Sequence, residues 1–250
     1  MNICIFCNIK DEQRYLDQWI RHNLKIGINK IVLYEDKGSR PHDDICSKYP
    51  QVELIKGILD DKPRMATKDI DCWQDFLYRY SDEDIDWVGK IDPDEYINGK
   101  ISLQDLFSSF DNCGQYYLRW HIHNANGHKK APKNFTYDIR KRYNKWIKPE
   151  EFGSKDGLDT SINKFNLGKS FVNYHAARKC PCLNIMFPHY ILQPEKYITI
   201  VLNTNKLWIE HYVCKSFEEW KWRLEEKGIS NPQYARKIDD FYIINPEMRK

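Results

Sequence analysis

Three carboxylates fall within four residues in the stretch WVGKIDPDEYI, which spans residues 87–97. The apolar run that opens the stretch predicts a buried strand. Because side chains two positions apart on an extended chain face the same way, we expect Asp92 and Asp94 to point together, with Glu95 on the opposite side. Pro93 favours the end of the strand here, since it offers no N–H for further sheet pairing and biases the preceding residue toward extended backbone.

Two parallel carboxylates at the end of a strand suit a divalent cation, because like charges a few ångströms apart repel unless a cation or a shared proton lies between them. Mg²⁺ and Mn²⁺ commonly take one or two protein carboxylates together with phosphate oxygens of a substrate. In open α/β sheets, ligands bind at the carboxyl ends of the strands, where Asp92 and Asp94 would lie. The motif therefore predicts a metal–diphosphate site. The alternative is a solvated acidic turn that caps a helix near residue 102.

The elements that must position these carboxylates alternate through the first 110 residues. Strands are predicted over residues 3–9, 30–34, 52–58 and 87–91, and helices over residues 13–26 and 68–80. This order is typical of βαβ units in a mostly parallel sheet with helices on both faces. The expected fold class is therefore α/β.

The second half of the chain is less regular. Strands rich in aromatic residues are predicted over residues 115–121, 137–147, 165–175 and 190–201, with a mobile polar loop over residues 123–134. The stretch KSFEEWKWRLEEKG then predicts an amphipathic helix that ends at Gly228. No internal repeat or low-complexity linker divides the sequence, which favours a single domain over residues 1–250.

Composition narrows the class of protein. The 41% hydrophobic and 30% charged residues place the chain among soluble globular proteins. The net charge of +3, from 39 basic and 36 acidic residues, argues against a nucleic-acid partner, although a basic cluster around residues 140–148 could meet phosphates or a membrane surface. No apolar stretch approaches the roughly 18 residues that span a bilayer, and the start carries no basic leader, so we expect a cytoplasmic location with peripheral membrane contact left open.

The eight cysteines are interpreted as reduced thiols. Cys4 and Cys7 form a CxxC, but their odd spacing on a strand would send the two thiols to opposite faces, so we predict buried core residues. Cys180 and Cys182 lie near His175 and His189 in the sequence, and a zinc site there stays open as an alternative.

Three segments in this order, NIKDEQRYLDQWIRHNLKIGINKIVLYED, WVGKIDPDEYI and IEHYVCKSFEEW, resemble glycosyltransferases of the GT-A fold related to family 92 and to family-2-like enzymes of bacterial glycan synthesis. The family's Asp-x-Asp-Glu-Phe motif corresponds to residues 92–96, and its Asn-His-Tyr and Lys-Ser-x-x-Glu segment to residues 210–219. The family's opening positions are held here by Lys10, Asp11, Glu12, Tyr15, Leu16, Trp19, His22 and Gly27.

The resemblance implies a GT-A domain with a nucleotide-sugar-binding half, residues 1–110, and an acceptor-binding half, residues 111–250. It implies transfer of a sugar, as by a hexosyltransferase, from a nucleotide sugar such as UDP-sugar to a glycan or lipid-linked glycan, with inversion of the anomeric centre. Mn²⁺ or Mg²⁺ would be the cofactor, held by Asp92, Asp94 and His211.

The resemblance also implies roles in binding the nucleotide sugar. Besides Asp92, Glu12 and Asp36 would accept hydrogen bonds from uracil or ribose, and Lys10 and Lys215 would bind phosphate. Helix capping is the alternative for Glu12, a turn position is the alternative for Asp36, and both lysines could be ordinary surface residues.

Inversion requires a general base to take the proton of the acceptor hydroxyl. His123 is the predicted base, chosen over His121 and Glu150 in the same segment. Trp120 and Trp146 are candidate stacking surfaces for a sugar, with core packing as the alternative.

Two other functions stay open. A nucleotidyltransferase also places carboxylates and metal at a sheet edge, but it usually shows a Gly-rich basic loop near the start, which ICIFCNIKDE lacks. A non-catalytic carbohydrate-binding module could keep the fold without turnover.

Overall fold

The structure is a computed structural model that describes residues 1–59, 65–109, 113–133, 138–143, 146–147, 168–179, 199–202, 206–227 and 237–249. The strands are β1 (Ile3–Ile9), β2 (Lys30–Glu35), β3 (Val52–Ile55), β4 (Trp87–Lys90), β5 (Glu95–Gly99), β6 (Cys113–His123), β7 (Trp146–Ile147), β8 (Gly168–Asn173), β9 (Thr199–Leu202) and β10 (Leu207–His211). The helices are α1 (Leu16–Lys25), α2 (Asp43–Cys46), α3 (Met65–Arg79), α4 (Leu103–Ser108), α5 (Ile139–Arg142), α6 (Tyr174–Lys179), α7 (Phe217–Trp222) and α8 (Ile238–Ile244).

The sheet follows the order β3-β2-β1-β4-β8-β6-β10-β5, and β7 and β9 also pair with β6. Strands β1 to β4 pair in parallel, and β6 runs parallel to both β9 and β10. Strands β8 and β5 run antiparallel to their neighbours. The predicted α/β fold, Rossmann-like with a mostly parallel sheet, is confirmed. Of the helices that the structure describes, none is long and apolar enough to cross a membrane.

Both faces of β1 are buried, which explains its continuous apolar run. Ile3, Ile5 and Cys7 face the core that α1 and α4 cover, whereas Cys4 and Phe6 face the core under α3. The two thiols of the CxxC are therefore free, buried and on opposite faces, as predicted. Full burial of one such apolar side chain stabilises the fold by about 1.5 to 3 kcal/mol.

The ring of Phe6 organises the α3 side of the sheet. Its centroid lies 5.8 Å from that of Trp73 and 5.4 Å from that of Phe76, in stacked geometry. Truncating Phe6 to Ala would leave a cavity among these rings and cost about 3 to 5 kcal/mol. On the same sheet, Gly89 lies under Phe171, where an added Cβ would come within 2.7 Å of the ring. Glycine thus lets β4 and β8 pack closely.

One expectation about the second half is corrected, and the predicted amphipathic helix is confirmed over the described residues. The continuous strand predicted over residues 137–147 is wrong, because the side chain of Asp138 accepts a hydrogen bond from the N–H of Arg140 and begins helix α5. Among the described residues of this range, Trp146 and Ile147 form the short strand β7. The amphipathic helix begins at Ser216, which forms a capping box with Glu219, and passes from α7 into a π-helical turn over Arg223–Lys227. Gly228 lies outside the described residues.

The acidic motif forms the connection between two strands. Strand β4 ends at Lys90 and β5 begins at Glu95, so the motif spans the gap between them. The N–H of Asp92 donates to the Glu95 carboxylate at 2.8 Å, and the N–H of Glu95 donates to the Asp92 carbonyl at 2.9 Å. Strand β5 then pairs with β10, and the N–H of Tyr212 donates to the Asp94 carbonyl at 2.9 Å.

Candidate active site

A cavity of about 570 Å³ opens at the carboxyl ends of β1, β2 and β4, a size typical of small-molecule sites. The second half of the chain closes it with residues from β6, β10 and the segment that follows β10. Every residue predicted to bind metal or nucleotide sugar lines this cavity: Lys10, Glu12, Asp36, Asp92, Asp94, His211 and Lys215.

Two ammonium groups hold Asp92. The Lys90 Nζ lies 2.8 Å from one carboxylate oxygen, and the Lys169 Nζ lies 2.7 Å from the other. The side chains of Lys90 and Lys169 are 6% and 0% exposed, so both charges are withdrawn from bulk water. Burial alone would raise the pKa of Asp92, but Lys169 and Lys90 hold that pKa well below its usual range. Asp92 is therefore an ionised group in a cationic setting.

The charges alternate on both sides of Asp92. Lys90 also contacts Asp69 at 3.1 Å, and although burial lowers the pKa of Lys90, the two aspartates raise it well above its usual range. Lys169 lies 3.7 Å from the fully buried Glu95. Burial, together with the charges of Asp92 and Asp94, raises the pKa of Glu95 well above its usual range despite Lys169. Glu95 faces away from the cavity and closes the turn.

Asp94 and His211 meet at the cavity wall. The Asp94 Oδ1 lies 3.7 Å from the His211 Nε2, and the guanidinium of Arg223 lies 3.8 Å from the other oxygen of Asp94. Burial opposes the shift, but His211, Lys215 and Arg223 lower the pKa of Asp94 to about 2. Asp94 therefore stays ionised at neutral pH.

The donor set of Asp94 and His211 fits the predicted cation. Neighbouring ligands of an octahedral ion bound at about 2.1 Å lie about 3 Å apart, close to the 3.7 Å between these two atoms. A carboxylate oxygen beside an imidazole nitrogen suits Mn²⁺. Both oxygens of Asp92, in contrast, already contact ammonium groups. Asp94 and His211 thus fit a metal by their spacing, and the role of Asp92 as a third ligand stays a prediction.

A second group of possible metal ligands lies at the other end of the strands, just before β4 and just after β8. Among the described residues, Asp84, Asp86 and His175 bring their ligand atoms within 4.8 Å of one another, largely exposed to solvent. Asp86 already accepts a hydrogen bond from the N–H of Asn2 at 2.6 Å. Cys180 and Cys182 lie outside the described residues, and the zinc site there stays a prediction.

Glu12 and Asp36 are also ion-paired. The carboxylate of Glu12 contacts the ammonium of Lys227 and lies 3.9 Å from that of Lys215. Burial alone would raise the pKa of Glu12, but Lys227 and Lys215 lower it. Both oxygens of Asp36 accept from the Lys68 Nζ at 2.6 Å. These acids, like Asp92, thus lie in a cavity whose charges are nearly balanced.

Glu219 positions the segment that carries Lys215. Its carboxylate accepts from the hydroxyls of Tyr15 and Tyr143, each at 2.7 Å, and from the N–H and hydroxyl of Ser216 at 3.1 and 2.7 Å. Lys215 has a left-handed backbone with φ of 52°, and its Nζ lies 4.8 Å from the centroid of the Tyr15 ring. Glu219 therefore holds an uncommon backbone conformation that directs Lys215 toward the cavity.

His123 lies outside the set of residues that line the cavity. Its Nε2 contacts the carboxylate of Glu210, and its ring stacks on that of Tyr212 with centroids 4.6 Å apart. His121 lies 3.9 Å from Glu210 and stacks on Trp208 at 5.2 Å. The assignment of His123 as base stays a prediction.

The remaining predicted residues of the second half are the sugar-stacking candidates Trp120 and Trp146 and the alternative base Glu150. Trp120 lines the cavity, and its ring centroid lies 4.4 Å from that of His211. Glu150 and the side chain of Trp146 lie outside the described residues. Trp120 thus remains the candidate stacking surface that the structure brings to the cavity.

Sequence reasoning missed the cations that balance the acids. Lys68, Lys90 and Lys227 line the cavity, and Lys169 lies directly behind Asp92. A signal did exist for two of them, since WVGK and GKSFVN each place a lysine in a short strand that is otherwise largely apolar. A lysine buried in a strand needs a carboxylate partner, and the acidic motif supplies it.

The fold and site together define an α/β protein of GT-A-like architecture whose acidic motif opens into a polar cavity. No family model matches the chain. It is 23% identical over 232 residues to a glycosyltransferase family 92 protein of Oryza sativa subsp. japonica. The match covers 88% of this chain and 34% of that protein, so the chain spans about a third of its relative's length. The resemblance to family 92 that the motifs predict is confirmed, at low identity.

Similar solved structures include HddC from Yersinia pseudotuberculosis, with a TM-score of 0.42 and 7% identity over 83% of this chain and 92% of that one. Another is 4-diphosphocytidyl-2C-methyl-D-erythritolsynthase from Anaerococcus prevotii DSM 20548, with a TM-score of 0.40 and 8% identity over 100% of this chain and 99% of that one. At such low TM-scores, neither likeness bears on the function.

Proposed function

We propose that the chain is a metal-dependent glycosyltransferase that moves a sugar from a UDP-linked donor to a glycan acceptor with inversion. The observation that carries the proposal is the convergence of the acidic motif, His211 and Lys215 on one cavity at the carboxyl edge of the parallel strands. The similarity to a family 92 protein supports the same reaction class.

The cavity residues have separate roles in this proposal. Asp94 and His211 would hold Mn²⁺, which supplies a Lewis acid that neutralises charge on the leaving diphosphate. Lys10 and Lys215 would bind phosphate oxygens as point charges. Glu12 and Asp36 would accept hydrogen bonds from the nucleoside, exchanging part of their contact with Lys227 and Lys68.

Inversion sets what the remaining residues must do. The acceptor oxygen forms a bond to the anomeric carbon while the bond from that carbon to the diphosphate oxygen breaks and its electron pair leaves with the diphosphate. The acceptor proton goes to a general base. His123 stays the proposed base from the sequence, although it lies outside the residues that line the cavity, and Glu210 would orient its imidazole and stabilise its protonated form.

Calorimetric titration with UDP tests the metal site. We expect Mn²⁺ to strengthen UDP binding in the wild-type protein by about tenfold or more, and D94N to abolish that gain, because Asp94 is an ionised ligand beside His211. D105N, an exposed aspartate in α4, is the matched control and should behave like wild type. Equal UDP affinity with and without Mn²⁺ in wild type would overturn the metal assignment.

Product analysis separates the reaction classes. With UDP-sugars and Mn²⁺, release of UDP, by slow hydrolysis or by transfer to an added glycan, supports the glycosyltransferase. Release of pyrophosphate from a nucleoside triphosphate and a sugar phosphate would instead show a nucleotidyltransferase. Tight UDP binding without turnover of any UDP-sugar would point to a binding module.

A further inference from the structure

A strip of basic side chains borders the cavity. We call it the basic rim, and it consists of Lys129, Lys130, Lys133, Lys141 and Arg142. These residues come from the loop that follows β6 and from helix α5, two segments that lie side by side. The four lysines are exposed and the arginine is partly exposed.

The basic rim is continuous with the cavity. Ala131, in the middle of the rim loop, lines the cavity. Arg14, another lining residue, donates to the carbonyl of Pro132 at 3.1 Å. The guanidinium of Arg142 donates to the carbonyl of Lys130 at 2.6 Å and joins α5 to the loop. A ligand that crosses the rim therefore reaches the cavity directly.

The rim loop, predicted as mobile, is tied to the start of α7. The N–H of Phe217 donates to the carbonyl of His128 at 3.2 Å, and the N–H of Glu218 donates to the carbonyl of Lys129 at 2.9 Å. The N–H of Ala131 donates to the Glu218 carboxylate at 2.7 Å. The lysines thus project from a fixed backbone, which lowers the entropy cost of binding a ligand.

Among the described residues, the five cationic side chains of the rim outnumber the carboxylates beside it. Of those carboxylates, Asp138 pairs with Arg140 at 3.2 Å, Glu218 accepts from the loop backbone, and Glu219 accepts from two tyrosines. Inside the cavity, in contrast, Asp36 and Asp92 each contact lysine at 2.6 to 2.8 Å. The rim is therefore a field of positive charge beside a neutralised cavity.

We infer that the basic rim binds the acceptor, and that the acceptor is a glycan carrying phosphate groups. This inference rests on the proposed function. Clustered lysines on a fixed backbone bind phosphates as point charges, and the rim directs such a chain toward the proposed donor site. An anionic membrane fits less well, because of the described residues the exposed large apolar side chains are Met1, Tyr78 and Ile238, and none belongs to the rim. Membrane-binding faces combine basic residues with apolar ones.

Fluorescence anisotropy with labelled polyphosphate tests the inference, with UDP and Mn²⁺ present at saturation so that the cavity is occupied. We expect polyphosphate to bind the wild-type protein and labelled dextran, a neutral glycan, to bind far more weakly. The triple variant K130E/K133E/K141E should lose about thirtyfold or more in polyphosphate affinity and show a flatter salt dependence, since each lysine that meets a phosphate releases counterions.

The matched control reverses three exposed lysines that lie outside the cavity and the rim, K25E/K48E/K100E, with the same change in net charge. Equal losses in the two triple variants, or equal binding of polyphosphate and dextran, would overturn the inference. A third result would also overturn the inference: the rim variant binds vesicles of phosphatidylcholine and phosphatidylglycerol more weakly than wild type but binds polyphosphate equally well. A membrane would then be the partner.

Calorimetry with UDP and Mn²⁺ distinguishes a failure of the proposed function from a failure of the acceptor inference. The rim variant should retain the wild-type response, since its three positions do not line the cavity. If Mn²⁺ does not strengthen UDP binding to the wild-type protein, the proposed function is contradicted. Retention of that effect, with polyphosphate affinity insensitive to the rim, would contradict the acceptor inference alone.

Discussion

Two carboxylate–imidazole pairs lie on opposite faces of β10, where the adjacent residues Glu210 and His211 each belong to a different pair. Toward the cavity, His211 faces Asp94 among Lys215 and Arg223. Away from the cavity, Glu210 contacts His123 between the rings of Trp208 and Tyr212. The pair at the cavity thus meets cations together with the ring of Trp120, whereas the pair on the other face lies among aromatic rings. Their surroundings decide which pair a charged ligand can use.

The largest effect we expect is on the cavity side, where Lys169 supports the acidic motif. K169M would leave Asp92 and Glu95 without the buried ammonium that contacts both. Loss of one partner from a buried ion pair costs about 3 to 5 kcal/mol of the free energy of unfolding. Urea denaturation would measure it. The control is K206M, at the exposed Lys206. A loss below about 1 kcal/mol in K169M would show that water already screens the charges of Asp92 and Glu95.

The next two predictions make the same change, histidine to glutamine, at His211 and at His123. H211Q removes the nitrogen that faces Asp94, so we expect transfer to fall by about 1000-fold and the effect of Mn²⁺ on UDP binding to disappear. Initial-rate kinetics and calorimetry on the same preparation would measure the two outcomes. Activity within a few fold of wild type would exclude His211 as a ligand.

H123Q tests the other pair. If His123 is the base, transfer falls by about 100-fold or more, while the response of UDP binding to Mn²⁺ is unchanged. The control is H121Q, on the same face of β6 and next to the same carboxylate. A loss in H123Q no larger than that in H121Q would assign the pair to packing and leave the base to another residue.

The smallest effect concerns Glu219, whose hydrogen-bond partners are mostly neutral hydroxyls, with Arg14 at 3.8 Å. Burial alone would raise the pKa of Glu219, but Lys215 and the hydrogen bonds from Ser216, Tyr143 and Tyr15 lower it. A depressed folded pKa means that the stabilisation is present above the unfolded value of about 4.3 and is lost as pH falls through the folded value. E219Q should therefore lose about 1 to 2 kcal/mol at pH 7 and less at pH 3, measured by urea denaturation. An equal loss at both values would contradict a charge-based role.

The parallel half of the fold was predictable because its signals are local. The apolar run of β1, the apolar stripe of α3 and the break at Pro93 each depend on neighbours within a few residues. Asp92 and Asp94 both line the cavity as predicted, but they lie in the connection between β4 and β5 and not on a strand, so alternation does not account for it. For Cys4 and Cys7, the odd spacing was enough to separate the thiols between two cores.

The rest of the site depends on pairings that local patterns do not encode. The register of β6 with β10 places Glu210 opposite His121, and this sets which histidines face the cavity. Lys169 reaches Asp92 only because β8 lies beside β4 in reverse direction. In the stretch predicted as strand over residues 137–147, the aromatic composition suggested pairing, but one side-chain cap at Asp138 favoured a helical turn.

The pairing of β5 with β10 has a consequence for how the molecule assembles. Asp94 and His211 come together only when the two strands join across more than a hundred residues of intervening chain. Contacts of such long sequence separation form slowly, since loop-closure entropy must be overcome first. During refolding, the capacity to bind UDP with Mn²⁺ should therefore recover after the helical circular dichroism signal. Ligand binding would then report on the last stage of folding.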